Sequence, residues 1–541
     1  MASDTVMAVR PMPLAMPLRP AAMTALSITG CCAFTVLIGL FGQFANRWLV
    51  AGVLDIGHAL MLAAAMGGGA VLVRRHPQWP GVALAAGSGA VAGVLLALLV
   101  MAARAANLRW MFVSLTPVTL NSVGYRLDDP QAALLLACAG GVLAGLGGAL
   151  VLVPPLLRQA VLGLLGGVVV AGLLRELIRS LLSGAFGVDV WAFNYDGLLP
   201  TGAACAAVIG AVVTIRPGRA QFAAMPKSVK SGVNLAALVL LLALPALTND
   251  FVAQVMMLVC LYTLMGLGLN IELGLAGLVD LGFVAFFAVG AYTVALLTSD
   301  NPGIPAHLGF FSALPFAILF AALAGFLFGL PVLRVRGDYL AIATLGLGEI
   351  IRVLVLSDML KPLLGGAQGI VNIPKPVFFG TILATPTLMF YLVAAFTAAA
   401  GYIAWRLQHS GLGRRWLAVR EDEDVAQALG IKLVKVKLSA YTMGAAFAGL
   451  AGGIFAAMVG SVFPQSFQLL VSVNVLAILV VGGIGSLPGV IIGAAALIGA
   501  PEVLRDLGEY RYLIYGLVII AVVRLKPEGL SPKAIKHREV M

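Results

Sequence analysis

The chain has 541 residues, 61% of them hydrophobic and 11% charged. The apolar residues come in runs of about twenty rather than in amphipathic alternation, which excludes a soluble globular domain and defines an all-α, polytopic helical membrane protein. The net charge of +11 would suggest nucleic acid for a soluble chain, but here it follows from topology, because basic residues collect in cytoplasmic loops; no nucleic-acid partner is expected.

In chain order, Arg10, Arg19 and four prolines precede Leu26. They resemble the basic region of a signal peptide, but the run that follows, from Thr24 to Ala45, is long enough to stay as a membrane anchor and is taken as the first span. Apolar spans are predicted near 24–45, 49–73, 81–103, 131–153, 159–174 and 199–215. The basic break Arg216 to Lys230, with four basic residues and two prolines, marks a domain boundary. It separates an accessory membrane region of about six spans (1–220) from a second region (221–541). That region has spans near 231–248, 251–269, 281–299, 308–332, 339–358, 384–405, 438–459, 467–482, 484–503 and 509–524. The total is about sixteen. With both termini in the cytoplasm, 23 of the 34 Lys and Arg residues fall in cytoplasmic segments, seven of them in the interruption 406–437, as the positive-inside rule requires.

Cys31, Cys32, Cys138, Cys205 and Cys260 lie in apolar runs without metal-ligand spacing and read as small core residues. No metal site, catalytic residue or phosphate-binding loop is expected, so energy from ATP would have to come from a partner. Glycines cluster as Gly444, Gly449, Gly452 and Gly453, then as Gly482, Gly483, Gly485 and Gly489. Small residues at these spacings let helices approach closely and also permit broken or re-entrant segments.

A charge inside a span costs at least about 2.5 kcal/mol at the bilayer centre unless paired or hydrated. Glu349 and Arg352 stand three apart on one helical face, an arrangement suited to an ion pair or to a substrate contact. Asp280, at the start of a span beside glycines, would either cap the helix or face the transport route; Asn270 and Glu272 are open in the same way. Two echoes join the halves: Asp55 and Gly57 align with Asp280 and Gly282, and Glu176 and Arg179 with Glu349 and Arg352, as in a diverged repeat. His58, three residues after Asp55, reads as its buried partner.

The polar interruption Arg406 to Lys437 lies between two apolar segments. Within it, Leu417 to Gly430 suits a short amphipathic helix with a left-handed C-cap at Gly430. Arg420, Glu421, Asp422, Glu423 and Asp424 supply charge; Leu417, Val425, Ala426 and Leu429 supply a small apolar face. Periodicity alone leaves a solvated loop as an equal alternative.

From about Val252 to Leu525 the chain resembles the permease subunits of ABC importers for branched-chain amino acids, a group that extends to urea and short-chain amide importers. The stretches GLNIELGLAGLVDLGFVAFFAVGAY, PVLRVRGDYLAIATLGLGEIIRVL, LAVREDEDVAQALGIKLVKVKLSAY and the pair AGLAGGIFAAMVGSVFP and VVGGIGSLPGVIIGAA carry the resemblance. It implies that Arg420, Glu421, Asp422, Ala426 and Gly430 belong to a cytoplasmic coupling helix. It also implies two ATPase subunits that bind ATP and Mg, a second permease and a periplasmic binding protein, in a bacterial inner membrane. Asp280 fits the amino-acid branch, and Asn270, Asp280, Glu349 and Arg352 are candidates for the translocation path or a helix break. Glu272 departs from the apolar residue expected after GLNI. The rival reading is an ion-coupled secondary transporter, with Asp280, Asp55 and His58 carrying protons or sodium.

Overall fold

The computed structural model describes residues 18–45, 47–75, 77–106, 108–125, 127–186, 192–194, 197–215, 241–299, 307–332 and 338–532. The basic break at 216–230, most of the span expected at 231–248 and the basic tail after 532 lie outside them. Contacts divide the chain into two compact units, one of Met1–Ser183 with Gly187–Val233 and one of Gly184–Phe186 with Asn234–Met541.

The first unit is built from α1 (Leu18–Leu37), α2 (Ile56–Arg75), α3 (Trp79–Ala105), α4 (Asp129–Leu152), α5 (Pro155–Leu173) and α6 (Pro200–Ile215). Small residues let these helices meet at backbone distance. A Cβ added at Gly93 would lie 2.2 Å from the Leu136 carbonyl oxygen, and one at Gly69 would lie 1.9 Å from that of Ala144. The span expected from residue 49 starts instead at Ile56. Residues Trp48–Val50 and Leu54–Asp55 pair antiparallel, which closes the backbone hydrogen bonds of that stretch before the helix begins.

The second unit contains α7 (Asp250–Leu269), α8 (Phe283–Thr298), α9 (Phe310–Val332), α10 (Asp338–Leu356) and α11 (Pro386–His409). Two short helices follow, α12 (Gly411–Glu421) and α13 (Glu423–Ala428), then α14 (Leu433–Val459), α15 (Leu469–Gly482), α16 (Leu487–Ala494) and α17 (Tyr510–Leu525). Its core centres on α14, where the first glycine cluster serves close packing. A Cβ at Gly452 would fall 2.0 Å from the Phe287 carbonyl oxygen, and one at Gly449 would fall 2.3 Å from Ala321 Cβ. The second cluster breaks a helix: α15 and the arm Leu487–Val503 meet at 118° across a four-residue turn. There Gly483 and Gly485 adopt φ of +118° and +85°, which side-chain-bearing residues rarely tolerate.

Among the described residues ten helices are long and apolar enough to cross a membrane, or eleven if the bent pair counts as one span. The difference from sixteen has a geometric source. Segments 467–482 and 484–503 are the two arms of the bent pair; at 14 residues, α15 is about 21 Å long, short of the roughly 30 Å hydrocarbon core. Segments 199–215, 281–299 and 509–524 form helices of 16 residues each, and 231–248 falls mostly outside the described residues.

Substituting Gly452→Val should lower the thermal unfolding midpoint in detergent, by the equivalent of about 1–3 kcal/mol for overpacking. Gly516→Ala, where an added Cβ meets nothing within 4 Å, should not lower it. Equal midpoints for the two variants would refute the close packing of α8 on α14.

Candidate functional site

The polar interruption folds into two helices, where the sequence suggested one over 417–430. Ser410 caps α12 by accepting the Gly413 N–H at 3.2 Å. The helix stops at Asp422, whose extended backbone (φ −157°) turns the chain. The Asp422 carboxylate then accepts the N–H groups of Asp424 and Val425, both at 2.9 Å, and so starts α13. At the far end Gly430 has φ +84°, and the Gly430 and Ile431 N–H groups close on the Gln427 and Ala426 carbonyls, a Schellman cap. The single expected helix is therefore split by an acidic residue that is a better N-cap than helix interior.

The inner face of this pair is anchored. Trp416 is fully buried, and its indole N–H reaches the Val436 carbonyl at 3.1 Å and the Ser439 hydroxyl at 3.0 Å, both on α14. Val419 and Ala426 are buried beside it. Lys437 of α14, itself buried, donates to the Glu423 carboxylate at 2.5 Å. The outer face holds Val425 and Leu429, exposed to 55% and 76%.

Arg420 connects the pair to the interior. Its guanidinium donates to the carbonyl of Gly274, which lies in a π-helical turn, Asn270–Leu275, at the end of α7. The close approach requires small residues: a Cβ at Gly277 would sit 3.4 Å from Arg420 Cα, and one at Gly485 would sit 3.2 Å from its Nη1. In the same turn, fully buried Asn270 accepts the Gly485 N–H at 2.9 Å, and Gln408 of α11 donates to the Gly485 carbonyl at 3.4 Å. The π turn, the bend of the broken helix and the Arg420 side chain thus form one hydrogen-bonded cluster.

Next to it, residues 277–282 are non-helical, and three elements satisfy the start of α8. Asp280 accepts the Gly282 N–H at 2.7 Å, Thr344 of α10 accepts that of Leu281 at 3.0 Å, and Ser472 of α15 accepts that of Val284 at 3.0 Å. Asp280 therefore closes an Asx turn just ahead of α8 and accepts no N–H of the helix itself. Its counterpart Asp55 in the first unit does cap a helix, accepting the His58 N–H at 2.7 Å, and His58 Nδ1 lies 2.5 Å from its second oxygen, the buried pair expected from the sequence. Glu349 and Arg352 pair with each other, Nε lying 3.0 and 3.1 Å from the two carboxylate oxygens, away from the cluster and partly exposed on α10.

Of the residues singled out from sequence, the fold brings together Arg420, Asn270 and Asp280, sets Ala426 against α14, and leaves Glu421 and Gly430 exposed at the surface of the pair. Sequence reading missed Trp416, Lys437, Gln408 and Gly274. A tryptophan inside an otherwise polar interruption and a lysine entering an apolar span were the available signals for the first two.

Helices long enough to span a bilayer, a broken helix among them and a helical polar interruption fastened to the break define a polytopic membrane transport subunit. The family model described as branched-chain amino acid transport system, permease component, matches residues 251–523. The chain belongs to that family. It is 41% identical over 321 residues to the high-affinity branched-chain amino acid transport system permease protein LivM of Escherichia coli, an alignment covering 55% of this chain and 74% of that protein. A probable branched-chain amino acid transport permease protein LivM of Methanocaldococcus jannaschii is 24% identical, covering 52% of this chain and 94% of its own length. The autoinducer 2 import system permease protein LsrC of Yersinia pseudotuberculosis is 27% identical, covering 44% and 67%. No solved structure matches the chain.

Replacing Asn270 with Leu removes the acceptor of the buried Gly485 N–H. The expected cost is about 1–3 kcal/mol, read as a lower unfolding midpoint together with faster proteolysis at the 483–486 turn. An unchanged midpoint and cleavage pattern would show that the clasp does not hold the bend.

Proposed function

We propose that the chain forms the translocation pathway of an ATP-driven importer for branched-chain amino acids, with α12 and α13 as its coupling segment. The observation that carries this reading is the two-faced geometry of the pair. One face is anchored through Trp416, Arg420 and the Lys437–Glu423 pair; the other offers Val425 and Leu429 to a partner, with Glu421 and Asp424 exposed on the same segment. Family membership supports the substrate class, because the matched family is described by branched-chain amino acid transport.

In this mechanism the importer carries two cytoplasmic ATPase subunits, which would bind ATP and Mg, and one of them docks on the exposed face. A second permease completes the pathway, and a periplasmic binding protein delivers the amino acid. Motion of the docked ATPase shifts α12, and Arg420 passes the shift to the Gly274 carbonyl and the π turn. Asn270 passes it on to the bend at Gly485. The partner drives this only by binding one arrangement better than the other, since equal affinity for both shifts nothing. The protein sits in a bacterial inner membrane, both termini cytoplasmic, an orientation supported by the seven basic residues of the interruption 406–437. Residues 1–220 act as an accessory membrane region and residues 221–541 as the permease domain; the start of the family match at residue 251 supports that division.

The deciding measurement is uptake into proteoliposomes containing this chain with and without its ATPases, second permease and binding protein, with leucine, urea and a short amide in competition. Uptake that needs ATP and the binding protein and is competed by leucine is expected; gradient-driven uptake by the chain alone would replace this reading with a secondary transporter.

Substituting Val425 and Leu429 together with Asp should abolish ATPase co-purification and uptake while membrane levels of the chain stay normal. Gly430→Val, which forces a β-branched residue into left-handed backbone at a cost of roughly 1–2 kcal/mol, should lower uptake in the same assay. Reversing charge at Arg420 and Glu421 should do likewise. Wild-type uptake in all three would remove the coupling role.

A further inference from the structure

Glu272 is the residue that departs from the apolar pattern of its surroundings, and neither packing nor the docking geometry uses its charge. It lies in the π turn, two residues before the carbonyl that receives Arg420. It is fully buried, and neither carboxyl oxygen meets a donor. Asp280, 1% exposed, uses Oδ1 for the Gly282 N–H, and its Oδ2 meets none. The Glu272 carbonyl accepts the Leu278 N–H at 3.0 Å, which folds the stretch carrying Asp280 back against the π turn, and the two acids act on each other electrostatically. Carboxylates only accept, so a hydrogen bond between these two buried acids needs a proton.

From α14, Gly444 brings backbone against Glu272, since a Cβ there would lie 1.8 Å from Oε1. The Tyr441 hydroxyl of α14, buried and without a hydrogen-bond partner, lies within electrostatic reach of both acids. Thr344 of α10 spends its hydroxyl on the Leu281 N–H and the Ala341 carbonyl. The cations of the neighbourhood are committed elsewhere: Arg420 of α12 to the Gly274 carbonyl and Lys437 of α14 to Glu423. Among the described residues no Lys or Arg bonds either acid. Two bare anions here would carry an uncompensated desolvation penalty, plus their mutual repulsion.

We propose that Glu272 and Asp280 form a proton-binding site beneath the coupling segment, one proton shared between the two carboxyl groups and holding the π turn in the form that receives Arg420. Loss of that proton as pH rises leaves adjacent anions. Their repulsion separates the turn from residues 277–282 and draws Arg420 off the Gly274 carbonyl towards the new charge. Import is then most active with the proton bound and falls on the alkaline side, about tenfold per pH unit in the limit of one titrating proton. The functional half of this inference rests on the coupling reading above; the proton site itself does not.

The test has two arms. Infrared spectra of the purified full-length chain are compared with those of Glu272→Gln, whose amide supplies its own N–H to Asp280. Uptake by the complete transporter is then measured against pH for both. Support is a protonated-carboxyl band that disappears in Glu272→Gln, together with an alkaline limb that disappears in the same variant. A band unchanged in the variant, an identical alkaline limb in both proteins, or an alkaline limb in the wild type that sodium restores at fixed pH would each overturn the proposal. Should Glu272→Gln fail to fold, Asp280→Asn serves with the same expectations. Absence of wild-type uptake at every pH, with the band behaving as expected, would overturn the transport reading and leave the proton site standing.

Discussion

Inside a bilayer every backbone N–H and carbonyl has to find a partner within the protein, and the second unit depends on how it meets that requirement at two interruptions. The first follows α7, where the helix loosens into a π turn and then unwinds over 277–282; the second is the bend at 483–486. Neither is left open. Asn270 takes the Gly485 N–H, Gln408 reaches the Gly485 carbonyl, Arg420 covers the Gly274 carbonyl, and Thr344, Asp280 and Ser472 receive the N–H groups of Leu281, Gly282 and Val284 around the start of α8. Every one of these groups comes from a different turn of chain, so the interruptions hold one another in place.

That arrangement explains why the polar segment sits where it does. A guanidinium on α12 is one of the few groups that can both remain near water and donate into the end of a span. Trp416 and Lys437 fix the helix pair on α14 so that Arg420 meets its carbonyl. In the proposed transport cycle the same contacts are the ones that differ between states, because a segment seated by a few directional hydrogen bonds has discrete arrangements.

Much of this was legible in sequence where the signal is local. The αL residue Gly430, the i,i+3 pair Glu349 and Arg352, and the buried neighbours Asp55 and His58 all depend on near positions in the chain, and the structure places them as their spacing indicates. The break at Asp422 is local too, yet hidden, because an acidic run reads equally as a helix surface or as an N-cap. The glycine clusters were ambiguous for the same reason. Gly452 and Gly485 are alike in sequence, and only a neighbour's position separates a packing glycine from a bending one.

Sequence by itself determined the class of molecule, the approximate position of the long spans and the polar segment between α11 and α14. Hydrocarbon thickness and helical rise fix how many apolar residues a span needs, and both are properties of any chain. Tertiary structure alone decided which apolar runs are full spans and which are arms of a bend. It also decided that Arg420 reaches Gly274, that Asn270 closes on Gly485, and that the Glu272 carbonyl takes the Leu278 N–H, two residues before Asp280. Two of these three contacts join residues 146 and 215 positions apart. Distances of that kind are set by how helices pack and by which buried polar groups must be satisfied, and no window along the chain contains them.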